Sequence, residues 1–250
     1  MATGGDGRDF EWRTVLRHRA PLRWMHWINA LCLLVLVGSG LQVLNAHPAL
    51  YWGPASDFAH PLVAFRDGIP SWMTIPGYRS LAMGRRWHFF FAWLWVINAA
   101  CYLAWSLASR HLGDELAMRR VDWRGIGRSI ADHLRFRHPV GEEALRYNPL
   151  QKLAYLGVVF VLAPLAILTG LSMSPQMDSL LGPWLQFIDG RQSARALHFA
   201  AMALFVLFFV VHVLMVVYAG PLNHLRSMLT GRFRVRWPRG HGVAGEGGHD

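Results

Sequence analysis

Charge is scarce in this chain. Only 16% of its 250 residues are Asp, Glu, Lys or Arg, and 53% are hydrophobic, with 12 tryptophans; a soluble domain of this length usually carries more charge. Acidic side chains are the rarer sign, 15 against 25 basic. The net charge of +10 would suit nucleic acid if the basic residues formed a stripe on a polar fold, but they flank long apolar runs, so no nucleic-acid partner is expected. Cysteine is nearly absent: Cys32 and Cys101 both fall inside apolar runs, where each reads as a small apolar side chain. The longest polar connection, His111 to Arg146, holds neither a metal-binding cysteine cluster nor a nucleotide-binding loop. There is no convincing internal repeat, and low complexity is confined to the glycine-rich ends, Ala2 to Gly7 and Gly240 to Gly248, which are expected to be disordered.

What is present is hydrophobic length. A bilayer core about 30 Å thick is crossed by roughly 20 apolar residues as a helix, and four segments qualify: about 23–44, 86–108, 150–172 and 194–219. Backbone polar groups in hydrocarbon must be satisfied within the segment, and runs this long are not barrel strands. The expected fold is all-α, an integral membrane four-helix bundle. It comprises an N-terminal arm over 1–22, a membrane domain over 23–219 and a basic, glycine-rich tail over 220–250. The first run is too long for a typical signal-peptide core and is expected to be retained.

Orientation follows from the basic residues, which concentrate on cytoplasmic flanks. Of the 25, the arm to Arg23 holds five, Arg110 to Lys152 holds nine and the chain after Ala219 holds five. Both termini are therefore expected in the cytoplasm. The connection from His111 to Arg146 reads either as a solvated loop that fixes topology or as a short amphipathic helix on the anionic leaflet.

Thirteen histidines occur, and four lie within spans: His26, His88, His198 and His212. Ionisable groups at membrane depth are costly and raise a functional hypothesis. His198 and His212 are fourteen residues apart, which places them about 21 Å apart along a helix and about 40° apart around it, far enough to serve two centres. Topology puts His26 and His212 at the cytoplasmic level, and His88 and His198 at the opposite one. Span 3 has no histidine and reads as a wall. Two imidazoles facing each other suit six-coordinate iron in a porphyrin, which brings its own four nitrogens, whereas zinc needs three or four protein ligands. Two stacked haems held by His26/His212 and His88/His198 are the expected cofactors. Arg23, Arg85, Arg86, Arg191 and Arg195 lie at levels suited to haem propionates, of which Arg23, Arg86 and Arg195 are the chosen candidates; snorkelling to headgroups explains any of them equally well. Gly38 and Gly40 would let a porphyrin face approach span 1, or simply let helices touch.

Arg23-Trp24-Met25-His26-Trp27, Arg86-Trp87-His88, Tyr147-Asn148-Pro149-Leu150-Gln151-Lys152 and the His198/His212 spacing together resemble the bacterial cytochrome b561 and nickel-iron hydrogenase b-type cytochrome group over roughly residues 17 to 235. Within it, the likeness is greatest to thiosulfate-reductase-type and formate-dehydrogenase gamma-type subunits. The resemblance implies two haem b groups on the four matching histidines and a bacterial inner-membrane location. It also implies a quinone near Tyr147 to Lys152, with Asn148 and Gln151 offering donors to a quinone carbonyl and Lys152 assisting protonation. The same residues serve equally as the cap and first turn of a helix. The long connection from Asn45 to Arg85, rich in Pro, Gly and aromatics, is either an interfacial aromatic belt or the docking face for a periplasmic redox subunit, with molybdopterin enzymes among the candidates. The expected function is electron transfer between the quinone pool and that partner. The alternatives are a stand-alone haem oxidoreductase acting on a small molecule at the outer face, and a non-redox transporter or scaffold whose histidines line a proton path.

Overall fold

The computed structural model describes residues 10–113, 117–134 and 147–238. Four helices are long and apolar enough to cross a membrane: span 1 (Ala20–Leu44), span 2 (Leu81–Ala108), span 3 (Pro149–Ser172) and span 4 (Arg191–Tyr218). Spans 1, 2 and 4 begin a few residues before the apolar runs, because helical hydrogen bonding does not stop at the edge of hydrocarbon. Span 2 is started by Ser80, whose hydroxyl accepts the Met83 N–H. Span 3 relaxes into a π-turn over Val158–Leu162, just before Pro164. Proline brings no N–H and clashes with the carbonyl four residues back, and the wider turn accommodates both. Between spans 3 and 4 lies a short helix, Asp178–Phe187. The chain divides into two compact units, one made of Trp24–His111 with Ala154–Val213, the other of the residues to Arg23, Leu112–Leu153 and those from Leu214.

The first unit is built inside out relative to a soluble domain. Its buried side chains include Ser39, Gln42, Asn98, Thr169 and Ser172, while Leu34, Phe90, Trp93, Val161 and Leu207 are exposed. Lipid accepts an apolar exterior, and small or polar residues carry the helix contacts. The connection after span 1 is an ordered cap. β2 (Ala49–Leu50) pairs with β3 (Val63–Ala64), and the Asn45 amide both donates to the Ile69 carbonyl (2.9 Å) and accepts the Ile69 N–H (2.6 Å). Ile75 N–H donates to the Gly38 carbonyl at 3.0 Å, and Gln42 donates to the Tyr78 carbonyl at 2.5 Å. Leu41, Leu44, Leu50 and Ile69 form the apolar cluster beneath it. The cap also meets the start of span 4: Gly53 N–H donates to Ser193 Oγ (2.8 Å), and at Gly190, φ 99°, a β-carbon would overlap Pro54 Cα at 2.6 Å.

The second unit adds structure that the apolar pattern does not announce. β1 (Phe10–Leu16) and β4 (Arg232–Pro238) form an antiparallel ribbon joining the two ends of the chain, in register from Phe10↔Pro238 to Leu16↔Arg232. Phe233 and Val235 are buried, whereas Arg232, Arg234 and Arg236 face outward, the alternation of a half-buried strand. A helix over Arg120–Leu134 and another over Pro221–Thr230 also belong to this unit. The sequence-based assignments to Ala2–Gly7 and Gly240–Gly248, and much of the connection from His111 to Arg146, lie outside the described residues.

Candidate functional site

The bundle brings the four span histidines together two by two. His26 of span 1 stands opposite His212 of span 4 with ring centres 6.2 Å apart; His88 of span 2 stands opposite His198 of span 4, also at 6.2 Å. A metal held between two ring nitrogens at about 2 Å from each, with each ring centre about 1 Å farther out, separates the centres by about 6 Å. Among the described residues no group of three or more His, Cys, Asp and Glu side chains gathers to hold a metal. Each pair thus offers two imidazoles at a spacing that suits a metal whose remaining ligands come from elsewhere, as in a porphyrin.

Each imidazole of the His88/His198 pair is held from behind by the same device. His88 Nδ1 lies 3.1 Å from Ser39 Oγ, and the His88 ring is also hydrogen-bonded to the Leu36 backbone. His198 Nδ1 lies 3.1 Å from Thr169 Oγ1 and 3.0 Å from the Ala166 carbonyl. In both helices the hydroxyl residue sits three positions after that backbone partner and donates its own proton one residue further back, Ser39 to Val35 at 2.6 Å and Thr169 to Leu165 at 2.6 Å. In both, glycine follows: a β-carbon on Gly40 would meet His88 Cε1 at 3.3 Å, and one on Gly170 would meet His198 Cε1 at 3.2 Å. Span 3, read from sequence as a wall, therefore orients the His198 ring, and Gly40 faces an imidazole. Gly38 packs against the Ile75 side chain instead. Reasoning from sequence overlooked Ser39 and Thr169; the repeated hydroxyl–glycine dipeptide, Ser39-Gly40 and Thr169-Gly170, was the available signal.

The His26/His212 pair is built differently. His26 meets the edge of the Trp27 ring, and its Nδ1 is buried with no hydrogen-bond partner among the described residues. His212 lies face to face with Phe208, ring centres 5.9 Å apart. At this level a third buried residue absent from the sequence reading, Asn98 of span 2, donates to the Met25 carbonyl (3.0 Å) and to Asn29 Oδ1 (2.8 Å), fastening span 2 to span 1.

The candidate cations have separate surroundings. The Arg195 guanidinium donates to the His47 carbonyl in the cap. Arg86 is exposed. Arg23 donates to the Leu229 carbonyl, and its Nε is buried without a partner among the described residues. At the start of span 3, Asn148 Oδ1 accepts the Leu150 N–H at 3.0 Å, and Asn148 N–H donates to Gln151 Oε1 at 3.2 Å, the reciprocal bonds of a capping box. The Ser129 hydroxyl also donates to Asn148 Oδ1. Lys152 Nζ is paired with Asp122 Oδ2 at 3.0 Å. Tyr147, just before the cap, is half-buried.

Four membrane spans, three of which bring imidazoles together in two pairs, fit an integral membrane cytochrome. The chain belongs to the prokaryotic cytochrome b561 family, which matches residues 17–231, and membership implies haem b. It is similar to a putative protein-methionine-sulfoxide reductase subunit, YedZ1, of Azospira oryzae, 29% identical over 204 residues, spanning 80% of this chain and 89% of that protein. It is also similar to probable Ni/Fe-hydrogenase B-type cytochrome subunits of Cupriavidus necator (27% identical, 78% of this chain and 76% of that protein) and Rhodobacter capsulatus (22%, 85% and 78%).

Proposed function

We propose that the protein is a dihaem b-type cytochrome subunit of the bacterial inner membrane that exchanges electrons between the quinone pool and a redox partner on the periplasmic face. Its residues 23–219 form the membrane domain, with 1–22 and 220–250 on the cytoplasmic side. The observation that carries this reading is the pair of facing imidazole couples, both with ring centres 6.2 Å apart, on opposite ends of one bundle. Bound between each couple, haem b would supply an iron that alternates between ferric and ferrous states and so carries one electron at a time.

The chain's own residues hold and orient. His26 and His212 would hold the haem on the cytoplasmic side, and His88 and His198 the haem on the periplasmic side. With two imidazoles given to each haem, the chain would serve to pass electrons, and bond-making would fall to its partner. Arg23, Arg86 and Arg195 are the proposed cationic partners of the propionates. The segment Tyr147 to Lys152 is the proposed quinone site. There the cap employs the amide oxygens of Asn148 and Gln151, and recognition of a quinone carbonyl falls to their amide nitrogens. The relatives are named as subunits of a methionine-sulfoxide reductase and of hydrogenases, which supports a separate redox protein as partner here, molybdenum enzymes among them. The ordered cap over residues 45–80 is the proposed docking face.

Haem stoichiometry on purified protein tests the reading. Two haems per chain are expected, falling to one in His198→Ala and one in His212→Ala. Colourless wild-type protein would instead favour a transporter or scaffold, and quinone turnover with a small molecule by the purified chain alone would favour a stand-alone oxidoreductase.

A further inference from the structure

The two histidine couples share one separation but not one environment. Around His88 and His198, both Nδ1 atoms face a helix hydroxyl at 3.1 Å, Ser39 for His88 and Thr169 for His198, and His198 Nδ1 also faces the Ala166 carbonyl at 3.0 Å. Each hydroxyl has already committed its proton to a helix carbonyl at 2.6 Å, so toward the imidazole it acts as an acceptor. Nδ1 must then carry the ring proton, and Nε2 is left as the basic nitrogen. His26 lacks any such support, its Nδ1 being buried without a partner among the described residues, and His212 is backed by the Phe208 ring.

Hydrogen bonding at the remote nitrogen of a ligating histidine fixes its tautomer and raises its basicity. A more basic axial ligand stabilises the higher charge of ferric iron over ferrous, which lowers the reduction potential. The surrounding low dielectric strengthens the polarisation. Resting on the dihaem reading above, we infer that Ser39 and Thr169 are positioning residues that make the His88/His198 couple the lower-potential centre of the two. The repeated Ser39-Gly40 and Thr169-Gly170 pairs are the device: the hydroxyl sets the proton, and the absent β-carbon lets the helix come within reach of the ring.

Potentiometric titration of the purified full-length chain, followed by haem absorbance and accompanied by a haem count, tests this. Wild-type protein should titrate in two one-electron steps. The haem left in His212→Ala should match the lower step and the haem left in His198→Ala the upper. In Ser39→Ala/Thr169→Val the lower step should rise by the equivalent of about tenfold in the reduction equilibrium, about 59 mV, with the upper step unmoved; Ser39→Thr, which keeps a hydroxyl, should move neither. A reversed order in the two histidine variants overturns the inference, as does a lower step unmoved in the double variant while two haems remain. Should the double variant lose haem, the order in the histidine variants decides. A wild-type count below two haems per chain instead overturns the dihaem reading itself.

Discussion

Gly170 and His198 stand closer than a side chain on Gly170 would allow: a β-carbon there would meet the imidazole Cε1 at 3.2 Å, a few tenths of an ångström inside comfortable carbon contact. The ring cannot retreat without lengthening its bonds to Thr169 and Ala166, at 3.1 and 3.0 Å. Gly170→Leu is therefore expected to displace His198 and reduce the haem count from two to one, and Gly40→Leu to do the same through His88. Gly157, in the same span as Gly170, has nothing within 4 Å of its would-be β-carbon, so Gly157→Leu should keep both haems. The pyridine haemochrome count of the three variants is the measurement.

These glycines also mark where reading from sequence stopped. The spans were legible because hydrocarbon demands uninterrupted apolar length, and the level of each histidine followed from which end of which span it occupies. The cradles were not. A hydroxyl in a membrane helix bonds its own preceding turn whether or not it serves a ligand: Ser172 donates to Leu168 at 2.6 Å just as Thr169 donates to Leu165. Only the following glycine distinguishes Thr169, and its meaning depends on a helix elsewhere in the chain. The β1–β4 ribbon was hidden for a related reason. Arg232 to Trp237 alternates with a period of two, but its partner strand begins at Phe10, and local pattern carries no record of so distant a pairing.

Asn98 makes a mechanical prediction. It is buried in a span, with both donor hydrogens placed, on the Met25 carbonyl and Asn29 Oδ1. Interhelical hydrogen bonds in membranes average about 0.6 kcal/mol, so Asn98→Leu should cost about 1 kcal/mol. The expected result is a lower thermal midpoint in detergent. Because Met25 precedes the ligand His26, one haem should be released at lower temperature than the other. Simultaneous loss of both haems, at the wild-type temperature, would show that Asn98 does not set the position of span 1.

Asp122 and Lys152 give a pH dependence. Their side chains are 13% and 12% exposed and meet at 3.0 Å. Burial pushes the Asp122 carboxyl up, but the Arg119 backbone N–H and the Lys152 ammonium outweigh it and hold the carboxyl below its ordinary value. A carboxylate with a folded pKa below its unfolded value, about 3.9 for Asp, adds stability that is complete above the unfolded value and disappears as pH falls through the folded one. Thermal midpoints of the wild type should therefore fall on acidification below about pH 4. Asp122→Asn should flatten that limb, and Lys152→Met, which removes one of the two stabilising partners, should move it to higher pH.

The capping box at the start of span 3 allows its structural and functional readings to be separated. Replacing Asn148 and Gln151 by alanine would remove the cap, at roughly 1 kcal/mol, and would confuse instability with loss of quinone exchange. Asn148→Asp/Gln151→Glu keeps the oxygens that accept the Leu150 and Asn148 N–H groups, and aspartate caps as well as asparagine; only the amide nitrogens are lost. If those nitrogens recognise a quinone carbonyl, this variant should retain the wild-type thermal midpoint and both haems, while quinone-dependent haem oxidation and reduction slow by at least about tenfold, the loss of one hydrogen bond of about 1.4 kcal/mol. Unchanged quinone kinetics in a stable double variant would leave Asn148 and Gln151 with the cap alone.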